Sequence, residues 1–332
     1  MIDPVYSAAP DRYHGGMKYR RAGKSGILLP EISLGLWHNF GDTLSGSKEK
    51  IHHAFDKGIT YIDLANNYGP SYGSAEETFG QIMKKSLAPY RDELFISTKA
   101  GHDMWEGPYG IWNSRKHLMA SIDQSLKRMN LGYVDIFYSH RYDPETPLEE
   151  TLQALVDIVR QGKALYVGIS KYPKEAAEIA YRYLADNHVP CLLYQGRYNL
   201  FNREPEEEGI LDQASKHGSG FVAFSPLAQG LLTGRYLDGI PDDSRIARGG
   251  HLKKEALTED VLRKIRDLNE IAARRGQTLA EMSLAWLLKD EKVTSVIIGA
   301  SSVKQIDDNL KSLDNTSFCD EEICLINNVL SR

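Results

Sequence analysis

Apolar and polar positions along this chain follow two alternating periods, and the alternation holds from Glu31 to about Ile306. Short apolar runs read as strands buried on both faces: Ile32–Leu36, Tyr61–Leu64, Leu94–Thr98, Val134–Ser139, Ala164–Ile169, Leu192–Tyr194, Phe221–Phe224 and Ser295–Ile298. Between them, segments such as Lys48–Lys57, Ala75–Lys84, Arg115–Arg128, Leu148–Arg160 and Lys174–Ala185 repeat apolar residues at three and four, as helices with one buried face do. Strand and helix therefore alternate, and eight such units close into a parallel α/β barrel of the TIM (β/α)8 kind. A doubly wound open sheet is the rival. No Gly-x-Gly-x-x-Gly follows the first run, and chemically interesting residues end several separate runs, both of which favour the barrel.

Ahead of the first barrel strand, Lys18–Arg21 and Ile27–Pro30, separated by Gly23 and Gly26, read as a β-hairpin. Two connections are long, Ala100–Ser114 after strand three and Pro226–Thr258 after strand seven. Loops beyond about 12–15 residues in a compact domain are usually functional or disordered. The first carries Trp105, Tyr109 and Trp112 among glycines and suits a pocket wall; the second is glycine-rich and basic, with Arg235, Arg245 and Arg248. The expected organisation is one barrel domain over residues 1–332, with residues 1–16 as an N-terminal extension.

Four residues at or just beyond the ends of three runs carry the chemistry: Asp63, Tyr68, Lys99 and His140. A free tyrosine, with pKa about 10, is a slow acid at neutral pH, and a neighbouring ammonium is expected to lower that value. Lys99 can supply the charge. Buried at a pocket floor, it needs a carboxylate, and Asp63 is the candidate. Tyr68 then acts as the proton donor to a carbonyl oxygen that His140 holds by a hydrogen bond.

The segments Asp63-Leu64-Ala65-Asn66-Asn67-Tyr68-Gly69, Ser97-Thr98-Lys99 and Ser139-His140-Arg141 resemble the catalytic segments of the aldo-keto reductases, over nearly the whole chain. Within that family, Gly35-Leu36-Trp37-His38-Asn39-Phe40-Gly41, Gly73-Ser74-Ala75-Glu76-Glu77, Asp103-Met104-Trp105 and Gly107-Pro108-Tyr109-Gly110 are similar to the bacterial L-glyceraldehyde 3-phosphate reductases. The β subunits of voltage-gated potassium channels form a sister group. The resemblance implies a hairpin that plugs the barrel floor, an NADPH/NADP+ cofactor laid across the strand ends, and a homo-oligomer, a tetramer or octamer.

It also implies a cofactor site, residue by residue. Leu36, Trp37 and Asp63 would lie along it, with Ser170 and Gln195 on the nicotinamide carboxamide and Phe224 against the ring face. Phe224 opens a segment, Ser225, Pro226, Leu227, Ala228, Gln229 and Gly230, that resembles the family's pyrophosphate-binding stretch, and Arg235 and Arg245 match its phosphate clamps. After strand eight, Gly299, Ser301, Gln305, Asp308 and Asn309 would meet the adenosine end. A helix N-terminus there suits a 2′-phosphate, although Ser301 or Ser302 reads equally as a helix cap. Ala300 stands where many family members have lysine, a gap that Arg245 or Lys304 can fill. Trp37, Tyr68, Trp105, His140 and Arg141 are the expected substrate contacts. Arg115 is a further candidate for an anionic substrate group, His38 reads either as pocket wall or as loop residue, and His52 and His53 read as surface.

Composition closes off other classes. Apolar residues at 42% and charged ones at 26% are ordinary globular usage, and a net charge of -5 gives no electrostatic case for nucleic acid or an anionic membrane. Cys191, Cys319 and Cys324 have neither disulfide-framework nor metal spacing and read as reduced structural thiols, and no metal site is expected. Without an apolar span or a signal-peptide order at Met1-Ile2-Asp3-Pro4, a cytoplasmic protein is expected. The expected function is reduction of small aldehydes or ketones, L-glyceraldehyde 3-phosphate or methylglyoxal among them. Two alternatives belong to other classes. One is a cofactor-sensing subunit like the channel β proteins, against which His140 argues because that subgroup carries Asn there. The other is a Schiff-base aldolase with Lys99 as nucleophile, which Asp63 would hold charged and unreactive.

Overall fold

The computed structural model describes residues 6–237, 239–240 and 254–331. The chain opens with an antiparallel hairpin, β1 (Tyr19–Arg21) and β2 (Leu28–Pro30), in which Tyr19 faces Pro30. Then follow β3 (Ile32–Gly35), α1 (Leu44–Asp56), β4 (Tyr61–Asp63), α2 (Ser74–Ile82), β5 (Phe95–Ala100), α3 (Arg115–Met129), β6 (Val134–Ser139) and α4 (Leu148–Arg160). The second half runs β7 (Ala164–Ser170), α5 (Lys174–Asp186), β8 (Cys191–Arg197), α6 (Glu204–Glu207), α7 (Ile210–Lys216) and β9 (Gly220–Phe224). It ends with α8 (Glu259–Arg274), α9 (Leu279–Leu288), β10 (Val293–Ile298), α10 (Val303–Leu310) and α11 (Asp320–Leu330). Strands β3 to β10 are all parallel and close into a barrel, β10 pairing with both β3 and β9. The barrel and the hairpin are as expected.

Two strands extend past their apolar runs. Pairing of β5 continues through Lys99 to Ala100, and β8 continues through Gln195 to Arg197, because the polar side chains that end each run find partners inside the barrel and leave the ladder intact.

Period-two alternation explains what the barrel presents. Tyr61, Phe95, Ile136, Tyr138, Leu193, Val222 and Ile297 form the apolar filling of the interior, while Ile62, Ile96, Phe137, Tyr194, Phe221 and Val296 belong to the layer shared with the helices. Counting by twos from the filling reaches Asp63 on β4, Ser97 and Lys99 on β5, His140 beyond β6, Gln195 on β8 and Phe224 on β9. The same phase that packs the floor aims these groups at the mouth.

The hairpin seals the opposite end. Ala22 and Leu29 are buried with the interior filling, and Gly23, at φ 54°, passes so close to Gly218 that a Cβ would lie 2.1 Å from its carbonyl oxygen. Arg20 locks the hairpin to the barrel by bonding Glu31 Oε1 at 2.7 Å and donating to the carbonyls of Leu288, Asp290 and Val293. What reads in sequence as an extension is also anchored: Ala9 N–H and the Tyr6 hydroxyl both donate to Asp56 Oδ1, at 2.8 and 2.7 Å. His52 is not a free surface residue. Tyr6 stacks on it at 3.7 Å, its Nε2 lies 2.8 Å from Ser86 Oγ, and burial pushes its pKa down to about 4. Cys191 is buried, whereas Cys319, which caps α11, and Cys324 within that helix are exposed. Among the described residues no cluster could hold a metal, and no helix is long and apolar enough to cross a membrane.

Candidate active site

Asp63, Tyr68, Lys99 and His140 come together at the C-terminal mouth of the barrel. Lys99 is fully buried, and its ammonium donates to Asp63 Oδ2 at 2.7 Å and to the Leu64 carbonyl at 2.5 Å. Asp63 is held in turn: its Oδ1 accepts from Ser97 Oγ at 2.7 Å, Gln195 Nε2 at 2.9 Å and the Tyr61 hydroxyl at 3.3 Å. A charge this deep survives because both oxygens are engaged. Gln195 spends one of its two amide N–H donors on Asp63, which leaves the other N–H and its carbonyl oxygen free to meet a carboxamide.

Tyr68 lies on the loop after β4, its carbonyl accepting from Ala75 N–H at 3.1 Å so that α2 fixes the loop. Gly69, at φ 110°, permits the turn, since a Cβ there would sit 2.1 Å from Ser74 Oγ. The Tyr68 hydroxyl is 3.5 Å from Lys99 Nζ. Its pKa is pushed well above the ordinary value by burial and then by the Asp63 charge, contrary to the lowering expected from Lys99. The reason is local neutralisation. Lys99 is already paired at 2.7 Å, so the phenolate would gain little from it and lose its water. Tyr68 thus holds its proton at neutral pH, the state a donor must be in.

His140 is buried, its backbone N–H donating to the Ala100 carbonyl at 2.9 Å, and its ring stands edge-on to Tyr68 with centroids 5.9 Å apart. Burial, then the charges of Lys171 and Lys99, hold its pKa well below the usual imidazole value, so the ring is neutral and has one N–H to give. Its Nδ1 has no partner among the described residues.

A groove of about 870 Å³ leads away from Tyr68. Gly35, Trp37, His38 and Asp63 line its near end, and Phe224, Ser225, Pro226, Leu227, Gln229, Gly230 and Arg235 one wall. Gly299, Ser301, Lys304, Gln305, Asp308 and Asn309 line its far end. The wall is wound from left-handed backbone, Ser225 at φ 53°, Ala228 at 46° and Gln229 at 58°, and such strain in non-glycine residues concentrates at ligand sites. Polar atoms are left over along it: Gln229 Oε1 and, beneath the mouth, Ser170 Oγ are buried with no partner among the described residues. Ser302, not Ser301, caps α10 by accepting from Gln305 N–H at 3.3 Å, while Ser301 N–H is taken by Gln305 Oε1 at 2.8 Å. The Ser301 hydroxyl is left to the groove.

Some expected contacts lie elsewhere. Leu36 is fully buried beneath the groove, its N–H on the Asp63 carbonyl at 2.9 Å, so it supports the site from below. Trp105 packs on His117 of α3 at 4.7 Å and does not line the groove. Arg115 is tied to Asp157 at 2.5 Å between α3 and α4 and does not line the groove. Arg141 bonds the Gly101 carbonyl through Nε at 2.9 Å and stacks 3.7 Å over Trp112, leaving Nη2 without a partner among the described residues. Arg245 and Arg248 lie outside the described residues. Two neighbours of His140 escaped the sequence reading, His102 and Lys171. The only signal was position: Lys171 directly follows Ser170, and His102 stands in the aromatic loop.

Comparison with known proteins gives the family. L-glyceraldehyde 3-phosphate reductase of Escherichia coli K12 is 55% identical over 328 residues, covering 97% of this chain and 94% of that one. Probable voltage-gated potassium channel β subunits of rice and Arabidopsis thaliana are 37% and 38% identical, each covering 90% of this chain and 92% of theirs. The model of the Aldo/keto reductase family matches residues 31–331, which takes in every strand of the closed barrel and all four groups at its mouth. The chain belongs to the aldo/keto reductase family of oxidoreductases.

Proposed function

We propose that this chain reduces small hydrophilic aldehydes and ketones with NADPH, L-glyceraldehyde 3-phosphate and methylglyoxal being the candidate substrates, and that it does so as a cytoplasmic homo-oligomer. The observation that carries the reading is the continuous groove from a proton-loaded Tyr68 to the N-terminal end of α10. The leftover acceptors Ser170 Oγ and Gln229 Oε1, together with the strained wall, fit an extended polar cofactor. Bound there, a nicotinamide cofactor supplies hydride. Trp37 and Phe224 would flank its ring, Ser170 and the free end of Gln195 its amide. Ser225, Pro226, Leu227, Gln229, Gly230, Arg235 and Arg245 would hold the phosphates, and Ser301, Gln305, Asp308 and Asn309 the adenosine end.

Tyr68 gives its hydroxyl proton to the carbonyl oxygen, and the ammonium of Lys99 at 3.5 Å stabilises the phenolate left behind. Neutral His140 donates its N–H to the same oxygen and so fixes the carbonyl against Tyr68. Replacing His140 by Asn is therefore expected to lower turnover at least about tenfold, some 1.4 kcal/mol of transition-state stabilisation, with the NADPH-bound fraction unchanged by fluorescence titration. Turnover equal to that of the unmodified protein would remove His140 from the mechanism.

The direct test is NADPH oxidation against a panel of aldehydes with NADH as control. Preference for NADPH is expected, and Ser301→Ala should weaken NADPH more than NADH. A phosphate contact of this kind is worth roughly 1.5–3 kcal/mol, about ten- to a hundredfold in affinity. Equal affinity for the two cofactors in the unmodified protein would overturn the assignment of the far end.

A further inference from the structure

One side chain packed against His140, and a second bonded to the first, have no part in the steps above. His102 stands edge to face with His140, ring centroids 4.4 Å apart at 89°, and Lys171 Nζ lies 3.0 Å from His102 Nε2. An ammonium only donates, so Nε2 accepts and the ring proton of His102 sits on Nδ1. Burial, then the charge of Lys171, keeps His102 neutral, its pKa pushed down to about 3. His102 is thus a fixed neutral prop between two functional neighbours.

Lys171 itself is unusual in its backbone. It follows the last residue of β7 at φ 56°, a left-handed conformation that a residue with a Cβ resists, and strain of that kind at a barrel mouth marks a side chain held for use. Its ammonium lies 5.9 Å from the ring centroid of Phe224, which puts it between the His140 side of the mouth and the wall of the groove. Solvent reaches the side chain, yet protein crowds its head, and this partial burial together with the charges of Lys99 and Arg141 brings its pKa down to about 8. Lys99, the other lysine here, has Asp63. Among the described residues, no carboxylate lies within ion-pair distance of Lys171. A solvent-reachable cation beside other cations, propped by a neutral imidazole, is stabilised by an incoming anion.

We propose that Lys171, propped by His102, is the subsite for the phosphate of a phosphorylated three-carbon aldehyde, holding the far end of the substrate while Tyr68 and His140 hold its carbonyl. The inference rests on the reading of the site as a carbonyl reductase and adds to it the residue that selects the phosphorylated substrate over the neutral one. It also gives the unpartnered Nη2 of Arg141 a role as a second donor on the same side of the mouth. Placing the charge there orients the carbonyl, so binding energy from the remote phosphate serves the reaction at the other end.

The test compares Lys171→Met with the unmodified enzyme on glyceraldehyde 3-phosphate and on glyceraldehyde, each with saturating NADPH. The ratio of kcat/KM for the phosphorylated to the neutral aldehyde should fall about ten- to a hundredfold, in kcat as well as in KM, because the lost contact both binds the phosphate and orients the carbonyl. Lys171→Arg should restore most of it. A second measurement needs no turnover: calorimetric binding of glycerol 3-phosphate to the NADP+-loaded protein, expected for the unmodified chain and lost in Lys171→Met. An unchanged ratio, or glycerol 3-phosphate bound equally by both proteins or by neither, overturns the subsite. So does a loss of NADPH affinity in Lys171→Met with the ratio intact, since Lys171 would then serve the cofactor. If no aldehyde were reduced but glycerol 3-phosphate still bound through Lys171, the reductase reading would fail and the anion subsite would stand.

Discussion

Tyr68→Phe should abolish nearly all carbonyl reduction, a loss of about 10²–10⁴-fold, while NADPH binding stays close to that of the unmodified protein. The substitution removes one hydroxyl and almost no volume. The ring keeps its contacts, 6.3 Å from Trp37 and under the Lys99 ammonium at 4.9 Å, so the mouth retains its shape. Only the proton goes. Because burial and Asp63 keep the phenol protonated well above neutral pH, the unmodified enzyme should show no loss of reductase rate from Tyr68 ionisation between about pH 6 and 9. Turnover and cofactor titration measured side by side decide the matter: a parallel fall in both would make Tyr68 a structural residue and leave the proton without a source.

The geometry also separates the reductase from the aldolase alternative. A Schiff-base lysine must be deprotonated and must reach a carbonyl carbon. Burial does lower the pKa of Lys99, but its nitrogen is taken by Asp63, by the Leu64 carbonyl and, more distantly, by Tyr68, with no part of the side chain exposed. A substrate carbon meets Tyr68 before it meets Lys99. For the regulatory-subunit alternative, one position of the quartet is the contrast: the resemblance implies Asn in the channel β group where this chain has His140, so His140→Asn is also a step toward that group.

The barrel was legible because its signal is repeated eight times, and the quartet because Asp63, Lys99 and His140 break apolar runs where strands should end and Tyr68 follows closely on the first of them. Strand ends were misjudged for the same reason. Lys99 and Gln195 look like terminators in one dimension, and only the closed barrel shows Asp63 waiting for both on its inner face. The direction of the Tyr68 shift was not readable either, since it depends on whether Lys99 is already neutralised at 2.7 Å and on how much water the phenol loses. Trp105 was assigned to the pocket from its company of glycines and aromatics, whereas His117, twelve residues on in the chain, is what it packs against. His102 and Lys171 carry no motif. Their importance lies in a ring contact and a left-handed φ, which are properties of the folded chain alone.

Asp63→Ala tests the member of the quartet with the most partners and should unsettle the whole fold. It strips the Lys99 ammonium of its counter-charge in a fully buried place and leaves Ser97, Gln195 and Tyr61 without their shared acceptor. Breaking a buried pair from one side costs about 3–5 kcal/mol, against about 0.2–1 kcal/mol for a typical exposed pair, and activity should vanish with it. The pH dependence identifies the cause. Burial holds Lys99 below its ordinary value, and Asp63 is the largest influence opposing that fall, so the variant lowers the native-state value further. Between that value and the unfolded one near about 10.4, the unfolded chain binds more protons than the native one, and stability rises with pH. The variant enters this window at lower pH than the unmodified protein, so its deficit should be largest near neutral pH and should shrink toward pH 10. Denaturant unfolding of both proteins at pH 7 and at about pH 9.5 measures it. A deficit equal at the two values would assign the cost to the three orphaned donors, and a negligible one would mean that the barrel mouth holds Lys99 without Asp63.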